Sequence, residues 1–194
     1  MVDQKTEAVH TSQQILDIAQ RLVQTRGFNA FSYADIANEM NVSKASLHYH
    51  FTSKAKLGVM LIERYIDDLR KILDEIDRNA DGPIAKLRSY VDIYTRVLAN
   101  ERMCLCGMLA AEFVTLPRPM QTALDDYFEA NELWLAGVLE EGRHAASLQF
   151  KGSVSDAAQF IIGSLEGAML MARSHGGMAR FSAAARRLLA DFGI

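Results

Sequence analysis

Apolar residues recur at intervals of three and four along most of the chain, the spacing that places them on one face of an α-helix. The first apolar stripe consists of Ile15, Ile18, Ala19 and Leu22. Strand-like alternation of apolar and polar residues is nearly absent. The pattern therefore predicts an all-α protein of about nine helices, with approximate bounds Ser12–Thr25, Tyr33–Met40, Ser43–Phe51, Lys54–Asn79, Pro83–Asn100, Met103–Thr115, Arg118–His144, Val154–Ser174 and Ala179–Asp191.

Two short helices follow each other closely near the N terminus. Ser32 and Ser43 are suitable N-caps for them, and Asn41 tolerates the left-handed backbone of a tight turn. Two helices with so short a link must cross steeply, as in a helix-turn-helix. Leu47 and Phe51, four residues apart, anchor the second helix inward. The rest of its surface consists of Lys44, Ala45, Ser46, His48, Tyr49 and His50.

The long helix that begins after Ser53 links this small N-terminal unit to the rest of the chain. Its apolar residues recur every four positions, and the stretch Asn79–Pro83 that follows is the clearest break in the sequence. We therefore predict two domains. A three-helix, helix-turn-helix domain occupies residues 1–53, and a second helical domain occupies residues 54–194.

The distribution of charge favours a role in DNA binding for the second short helix. The net charge is −3, so any DNA contact must rest on locally concentrated positive charge. From Met40 to Ile62 there is no Asp or Glu, although this window contains three lysines and two histidines. In a helix-turn-helix the second helix enters the major groove and reads base edges. Side chains of the kinds found at Lys44, Ala45, Ser46 and Tyr49 suit base contacts, and Lys54 suits a phosphate contact.

Other classes of function are compatible with parts of this pattern. The short helix also fits an ordinary solvated surface, because helix-turn-helix geometry occurs in proteins that do not bind DNA. An enzyme needs a convergent catalytic set, and the sequence has no zinc-ligand spacing, glycine-rich phosphate loop or nucleophile motif. A helical interaction module explains the helices but not the acid-free window. We expect no catalytic residues, no metal and no cofactor.

Residues 35–57 give a more specific indication. The segment Asp35-Ile36-Ala37, then residues 42–51 (VSKASLHYHF), then Ser53-Lys54 and Leu57, resembles the N-terminal signature of the TetR (tetracycline repressor) family of bacterial regulators. The resemblance covers roughly residues 15–57, and the helical remainder has the family's length and layout without an equally diagnostic motif. It implies an N-terminal helix-turn-helix DNA-binding domain followed by a helical effector-binding and dimerisation domain.

The resemblance also implies individual DNA contacts. Base contacts are expected from Lys44, Ala45, Ser46 and Tyr49, and phosphate contacts from Tyr33, Ser43, His48, His50 and Lys54. The sequence departs from the family's common pattern at His48, where tyrosine is usual, and at Asn41, where glycine is usual. Asn41 is a mild change because asparagine tolerates the same backbone region.

Regulators of this kind couple a small-molecule pocket in the C-terminal helices to the separation of two DNA-reading units in a homodimer. The resemblance therefore implies a repressor that binds palindromic, double-stranded operator DNA as a homodimer. It also implies release from the operator by an unidentified small-molecule effector or electrophile.

The helix Val154–Ser174 is apolar around most of its circumference, so it must be covered on several sides. Gly163 and Gly167, four residues apart, would let another helix approach closely. We predict that this helix and the last helix pair with their symmetry mates through Phe160, Gly163, Gly167, Leu170 and Leu188. The alternative is that both helices form the core of a monomer.

Residues for an effector pocket are expected where methionine and aromatic side chains cluster, because these adapt to varied apolar ligands. The candidates are Met108, Glu112, Phe113, Trp134 and Glu166. Glu112 and Glu166 stand in otherwise apolar stretches and suit a cationic or hydrogen-bonding ligand. Both are also compatible with satisfied or solvent-facing carboxylates.

Cys104 and Cys106 are too close along one helix to form an ordinary disulfide, so both are expected as thiols. The segment Cys104-Leu-Cys106-Gly107 resembles one near the start of the sixth helix in a subgroup of TetR-like regulators, some of which sense electrophiles or oxidants through a cysteine there. Either residue is therefore a candidate sensor, and the alternative is that both are buried and inert.

The location of the protein is expected from the absence of targeting signals in the sequence. Met1–Gln14 is polar and mixed in charge, and no apolar run approaches a membrane-spanning length. We expect a soluble cytoplasmic protein without a membrane partner.

Overall fold

The computed structural model describes residues 4–194, and the side chains from Ala8 onward. In this range the chain is all-α, with nine α-helices, one short 3₁₀ helix and no strand, as predicted. The α-helices are α1 (Gln4–Arg26), α2 (Tyr33–Met40), α3 (Lys44–His50), α4 (Lys54–Asn79), α5 (Gly82–Ala99), α6 (Leu105–Ala111), α7 (Arg118–His144), α8 (Val154–Ser174) and α9 (Gly177–Asp191). The first three residues of the polar segment Met1–Gln14 lie outside the described residues.

The predicted turn between α2 and α3 is present. Ser32 caps α2 and accepts a hydrogen bond from Ala34 N at 3.2 Å, while its own backbone N–H donates to the Asp35 carboxylate at 2.7 Å. Asn41 has φ 55, in the left-handed region, which lets Val42 N donate to Ala37 O at 3.0 Å. The side chain of Ser43 accepts from Ser46 N and caps α3. Local residue preferences therefore determine this turn.

The helix predicted over Met103–Thr115 is shorter and interrupted in the structure. It begins at Leu105 and ends at Ala111, and a 3₁₀ helix over Phe113–Thr115 follows Glu112. The backbone N–H of Thr115 donates to Glu112 O, which is the tighter i to i+3 pattern. Pro117 disfavours helical backbone at the residue before it, and Leu116 is extended. The prediction was wrong in extending one regular helix through this segment.

The chain divides into two compact units. The first comprises the described residues up to Ile66 together with Leu105–Asp125, and the second comprises Asp67–Cys104 and Asp126–Ile194. The first unit is therefore larger than the predicted domain 1–53, because it includes the start of α4 and the α6 region.

The core of the first unit holds α3 by its inward side chains. Leu47 and Phe51 are fully buried, as their spacing predicted, and they share this core with Ile15, Ile36 and Leu57. Burial of each such side chain contributes about 1.5–3 kcal/mol. The position of α3 is thus fixed by packing, and its polar residues take no part in the core.

The core of the second unit includes a close pairing of α8 with α9. Ile161, Leu165 and Met169 of α8 are fully buried, as is Phe181 of α9.

Within the described residues, none of the helices combines the length and the hydropathy that crossing a membrane requires.

Candidate DNA-binding and effector-binding sites

Helix α3 exposes the polar surface that the sequence predicted for it. Lys44, Ala45, His48 and Tyr49 are exposed, and Ser46 and His50 are partly exposed. The side chain of Tyr49 stands out with 81% of its surface accessible, a high value for a large aromatic residue. Among the described residues from Met40 to Ile62 no acidic side chain accompanies this surface. The surface of α3 therefore presents hydrogen-bond donors and an aromatic ring within a stretch of chain that carries no negative charge.

Tyr33 has a structural role. It is buried, and its hydroxyl donates a hydrogen bond to the backbone oxygen of Phe51 at 2.9 Å. Burial raises the pKa of Tyr33 to about 12, so the phenol is neutral. Its ring lies 4.7 Å from the ring of His48. This geometry joins α2 to the end of α3, and the phosphate contact that the resemblance implies for Tyr33 stays a prediction.

His50 ties the end of α3 to α1. Its Nδ1 lies 3.0 Å from the hydroxyl oxygen of Ser12, and that hydroxyl also lies 3.0 Å from the backbone oxygen of Ala8. A hydroxyl has one hydrogen, so donation to Ala8 makes Nδ1 of His50 the donor to Ser12. The residue as a whole is partly exposed.

The ammonium group of Lys54 is directed into the first unit. It donates to the backbone oxygens of Phe28 and Phe31, and it lies 4.4 Å and 4.3 Å from the centres of their rings. Desolvation lowers the pKa of Lys54, although the carboxylates of Glu112 and Asp35 act in the opposite direction. In this position the hydrogen bonds of the ammonium group go to the protein, and the phosphate contact expected for Lys54 stays a prediction.

Glu112, predicted as an effector contact, instead caps a loop of the first unit. Its carboxylate accepts from Phe28 N at 2.7 Å and from Asn29 N at 3.3 Å. Asn29 also donates through its side chain to Thr115 Oγ1 at 2.7 Å. This geometry agrees with the alternative of a satisfied carboxylate. Sequence spacing could not name its partner, because it does not reveal bonds to a loop more than 80 residues away.

A buried polar network lies in the second unit, and sequence reasoning missed most of it. The hydroxyl of Tyr90 donates to Asn131 Oδ1 at 2.9 Å and lies 3.3 Å from the hydroxyl of Tyr94. The ring of Trp134 stacks on Tyr90 at 5.6 Å, and its indole N–H donates to Asp77 at 2.9 Å. Of these residues the sequence indicated only Trp134, as a candidate effector contact, because helical spacing does not show which polar groups meet in the core.

Glu166 lies in the second unit with an unsatisfied oxygen. Its Oε1 atom is buried and has no hydrogen-bond partner among the described residues. Burial raises the pKa of Glu166 to about 7, and a hydrogen bond with the Cys104 side chain acts against this rise. The Cys104 sulfur lies 3.7 Å from the hydroxyl of Tyr127. Glu166 therefore remains a candidate for meeting a ligand that donates a hydrogen bond.

The five predicted effector contacts are not brought together in either unit. Met108, Glu112 and Phe113 belong to the first unit, whereas Trp134 and Glu166 belong to the second. The two cysteines are also divided in this way, and both are buried free thiols. Burial agrees with the alternative of inert cysteines and does not test their reactivity.

Helix α8 exposes an apolar stripe that the second unit leaves uncovered. Phe160 and Leu170 are 54% and 48% exposed, and Gly163 and Gly167 lie on the same exposed face. A Cβ atom added at either glycine would meet nothing within 4 Å. Packing within the protomer therefore does not require these glycines. The prediction for Leu188 was wrong, because this side chain is buried within the protomer.

A helix-turn-helix unit with an exposed, acid-free second helix, followed by a larger helical unit, defines a DNA-binding transcriptional regulator. The family profile described as "Bacterial regulatory proteins, tetR family" matches residues 15–58, and that described as "Tetracyclin repressor-like, C-terminal domain" matches residues 83–188. The chain belongs to the TetR family. Regulators of this family bind DNA, usually as dimers, and respond to small-molecule effectors.

Comparisons with individual proteins agree with this assignment. The chain is 26% identical over 170 residues to the HTH-type transcriptional repressor NemR of Escherichia coli (strain K12), with 84% of each chain covered. A TetR-family regulator from Agrobacterium tumefaciens has a similar structure, with a TM-score of 0.92, 32% identity and coverage of 95% of this chain and 98% of that one. A TetR regulator from Legionella pneumophila gives a TM-score of 0.85 and 34% identity, with coverage of 94% and 97%.

Proposed function

We propose that this protein is a repressor that binds a palindromic operator as a homodimer, with α3 of each protomer in the major groove. The observation that carries the proposal is the exposed surface of α3 within a stretch free of acidic residues. Lys44, Ala45, Ser46 and Tyr49 are assigned to bases, and Ser43, His48 and His50 to phosphates. Tyr33 and Lys54 support the reading helix from inside the protein.

The proposed dimer forms through α8 and the neighbouring surface of α9. Phe160, Leu170 and Met171 form an exposed apolar stripe, and Gly163 and Gly167 permit the backbone of another helix to approach closely. Exposed residues of α9 include the small Ala179 and Ala183, which suit the same close packing. A twofold axis relates the two copies, so each stripe covers its counterpart.

The proposed effector site lies in the second unit around Glu166. The unpaired Oε1 atom and the stacked rings of Trp134 and Tyr90 suit a small organic molecule that combines an aromatic part with a hydrogen-bond donor. Cys104 has polar neighbours in the same unit, so release by an electrophile remains a second form of the proposal. Because operator DNA is in the cytoplasm of a bacterium, we expect the protein there.

Selection of duplexes from a random DNA pool tests the proposed function. We expect enrichment of an inverted repeat, and affinity for it that falls steeply as salt rises. Sedimentation at micromolar concentration is expected to give a dimer. Enrichment of no sequence, or binding that is insensitive to salt, would contradict the proposal.

A further inference from the structure

Two charged side chains make hydrogen bonds to the backbone of the loop between α1 and α2, residues 27–31. Glu112, which directly follows α6, accepts the backbone N–H groups of Phe28 and Asn29. Lys54, the first residue of α4, donates to the backbone oxygens of Phe28 and Phe31. We call Glu112 and Lys54 the loop clamp. Four backbone groups of a short loop are thus held by one anion and one cation.

The surroundings of the loop clamp make its two charges depend on each other. Phe28 and Phe31 are buried, and both of their rings face the Lys54 ammonium group. A partly desolvated ammonium is stable only with polar partners, which the two backbone oxygens provide. The Glu112 carboxylate adds a favourable electrostatic interaction with Lys54. Removal of either charge therefore weakens the bonds made by the other.

Gly27 allows the carboxylate to come this close. Its φ is +95, a conformation that other residues rarely adopt, and a Cβ atom there would lie 2.8 Å from Glu112 Oε1. The backbone at the end of α1 thus leaves room for the carboxylate.

The loop clamp adds to the packing of Leu47 and Phe51 in holding the reading helix. Phe31 directly precedes Ser32, the N-cap of α2, and Lys54 directly follows Ser53, at the start of α4. Helix α3 lies between these two points in the chain. Fixing both ends of residues 32–53 to one loop restricts the rotation of α3 relative to the rest of the first unit.

We propose that Glu112 and Lys54 are positioning residues for operator binding, which orient α3 by holding the loop 27–31 without contacting DNA. This inference rests on the proposed function of α3. It differs from the phosphate contact expected for Lys54, and the two roles predict different salt dependence. A phosphate contact contributes about 0.9 to the slope of log affinity against log salt, whereas a positioning residue contributes nothing.

The test compares Lys54→Met and Glu112→Gln with the wild type, on a duplex that the wild-type protein selects from a random pool. We expect each variant to bind on the order of tenfold more weakly, since a charged hydrogen-bond partner is lost, and to keep the wild-type salt slope. The double variant is expected to lose less than the product of the two single losses, because both residues act through one loop. Lys54→Arg and Glu112→Asp keep the charges and are expected to retain most of the affinity.

Amide hydrogen exchange without DNA provides an independent readout. The backbone N–H groups of Phe28 and Asn29 are expected to exchange slowly in the wild type and about tenfold faster in Glu112→Gln. Circular dichroism confirms that each variant is folded, and if Lys54→Met is not, Glu112→Gln alone carries both measurements.

Three results would overturn the inference. One is a salt slope that falls by about 0.9 in Lys54→Met, which would make Lys54 a phosphate contact. Another is wild-type affinity in Glu112→Gln. The third is equally fast exchange of Phe28 and Asn29 in the wild type and in Glu112→Gln. Failure of the wild type to bind any duplex would instead contradict the proposed function, while the exchange measurement would still decide whether the clamp holds the loop.

Discussion

At the scale of single residues, the burial of Glu166 predicts that the stability of the folded protein depends on pH. In the unfolded chain its carboxyl group loses a proton near the ordinary pKa of 4.5, whereas in the folded protein it keeps the proton up to about pH 7. The folded state therefore binds more protons between these values. The resulting stability is fully present below about pH 4.5 and is lost as pH rises towards 7.

Glu166→Gln removes this titration and keeps an oxygen that can accept from Cys104. We expect the variant to be more stable than the wild type above pH 7, by up to about 3 kcal/mol, and to lose the contribution of this residue to the pH dependence below it. Urea unfolding at several pH values measures the difference. Glu129→Gln, at an exposed position of α7, is the control and is expected to change neither. Equal stability of Glu166→Gln and the wild type at pH 8 would show that the carboxyl group is not desolvated.

Both thiols are buried, but they differ in exposure, and this difference predicts an order of reaction. Cys104 lies 3.7 Å from the hydroxyl of Tyr127 and keeps 4% of its surface accessible, whereas Cys106 on α6 is fully buried. In native protein treated with a small maleimide, we expect Cys104 to be alkylated before Cys106. Mass spectrometry of digested samples gives the order, with Cys104→Ser and Cys106→Ser as matched variants. Faster alkylation of Cys106 would contradict this assignment.

At the scale of helices, the exposed stripe of α8 makes a prediction about assembly. A Cβ atom at Gly163 or Gly167 meets nothing within 4 Å in the protomer, and both positions are exposed, so a variant with leucine at both is expected to fold with at least the helix stability of the wild type. The added side chains would prevent close approach of a second α8, and sedimentation is expected to give a folded monomer at concentrations where the wild type is a dimer.

Gly137→Leu is the matched control for this experiment. Gly137 is also an exposed helical glycine, on α7, where a Cβ atom would meet nothing within 4 Å. We expect this variant to remain a dimer. If the α8 variant is as dimeric as the control, the proposed interface is wrong.

Helix positions could be predicted from sequence where local preferences decide them. The caps Ser32 and Ser43 and the left-handed Asn41 specify the turn before α3 by themselves, and the structure confirms it. The break after Ala111 depends on a tight turn and on the effect of Pro117, which helical periodicity does not show. The inward direction of Leu188 was also hidden, because α9 has small or apolar residues on more than one side.

The supports of the DNA-binding surface could not be predicted, because they join residues distant in sequence. Glu112 reaches the amides of Phe28 and Asn29 from the end of α6, and Lys54 points inward only because the loop 27–31 offers two backbone oxygens. The sequence thus identified the exposed side chains of α3, but it did not distinguish residues that face DNA from residues that hold the helix.

At the scale of the whole molecule, the two compact units correspond to two parts of one regulatory function. The first unit presents a single reading helix, which makes too few contacts for specific binding of an operator by itself. The second carries the exposed α8 stripe, through which we propose that two copies act together. A dimer of this kind is expected to bind half-sites separated by about one helical turn of DNA, roughly 34 Å.

The central claim is that α3 reads bases, and a comparison of sequence preference tests it most directly. Duplex selection from a random pool is carried out with the wild type, Lys44→Ala on the exposed surface of α3, and Lys56→Ala on the exposed first turn of α4. At one position of each half-site, we expect Lys44→Ala to prefer the correct base over the others by about 1–3 kcal/mol less than the wild type does. We expect Lys56→Ala to select the wild-type sequence. An unchanged preference in Lys44→Ala together with an altered one in Lys56→Ala would contradict the account.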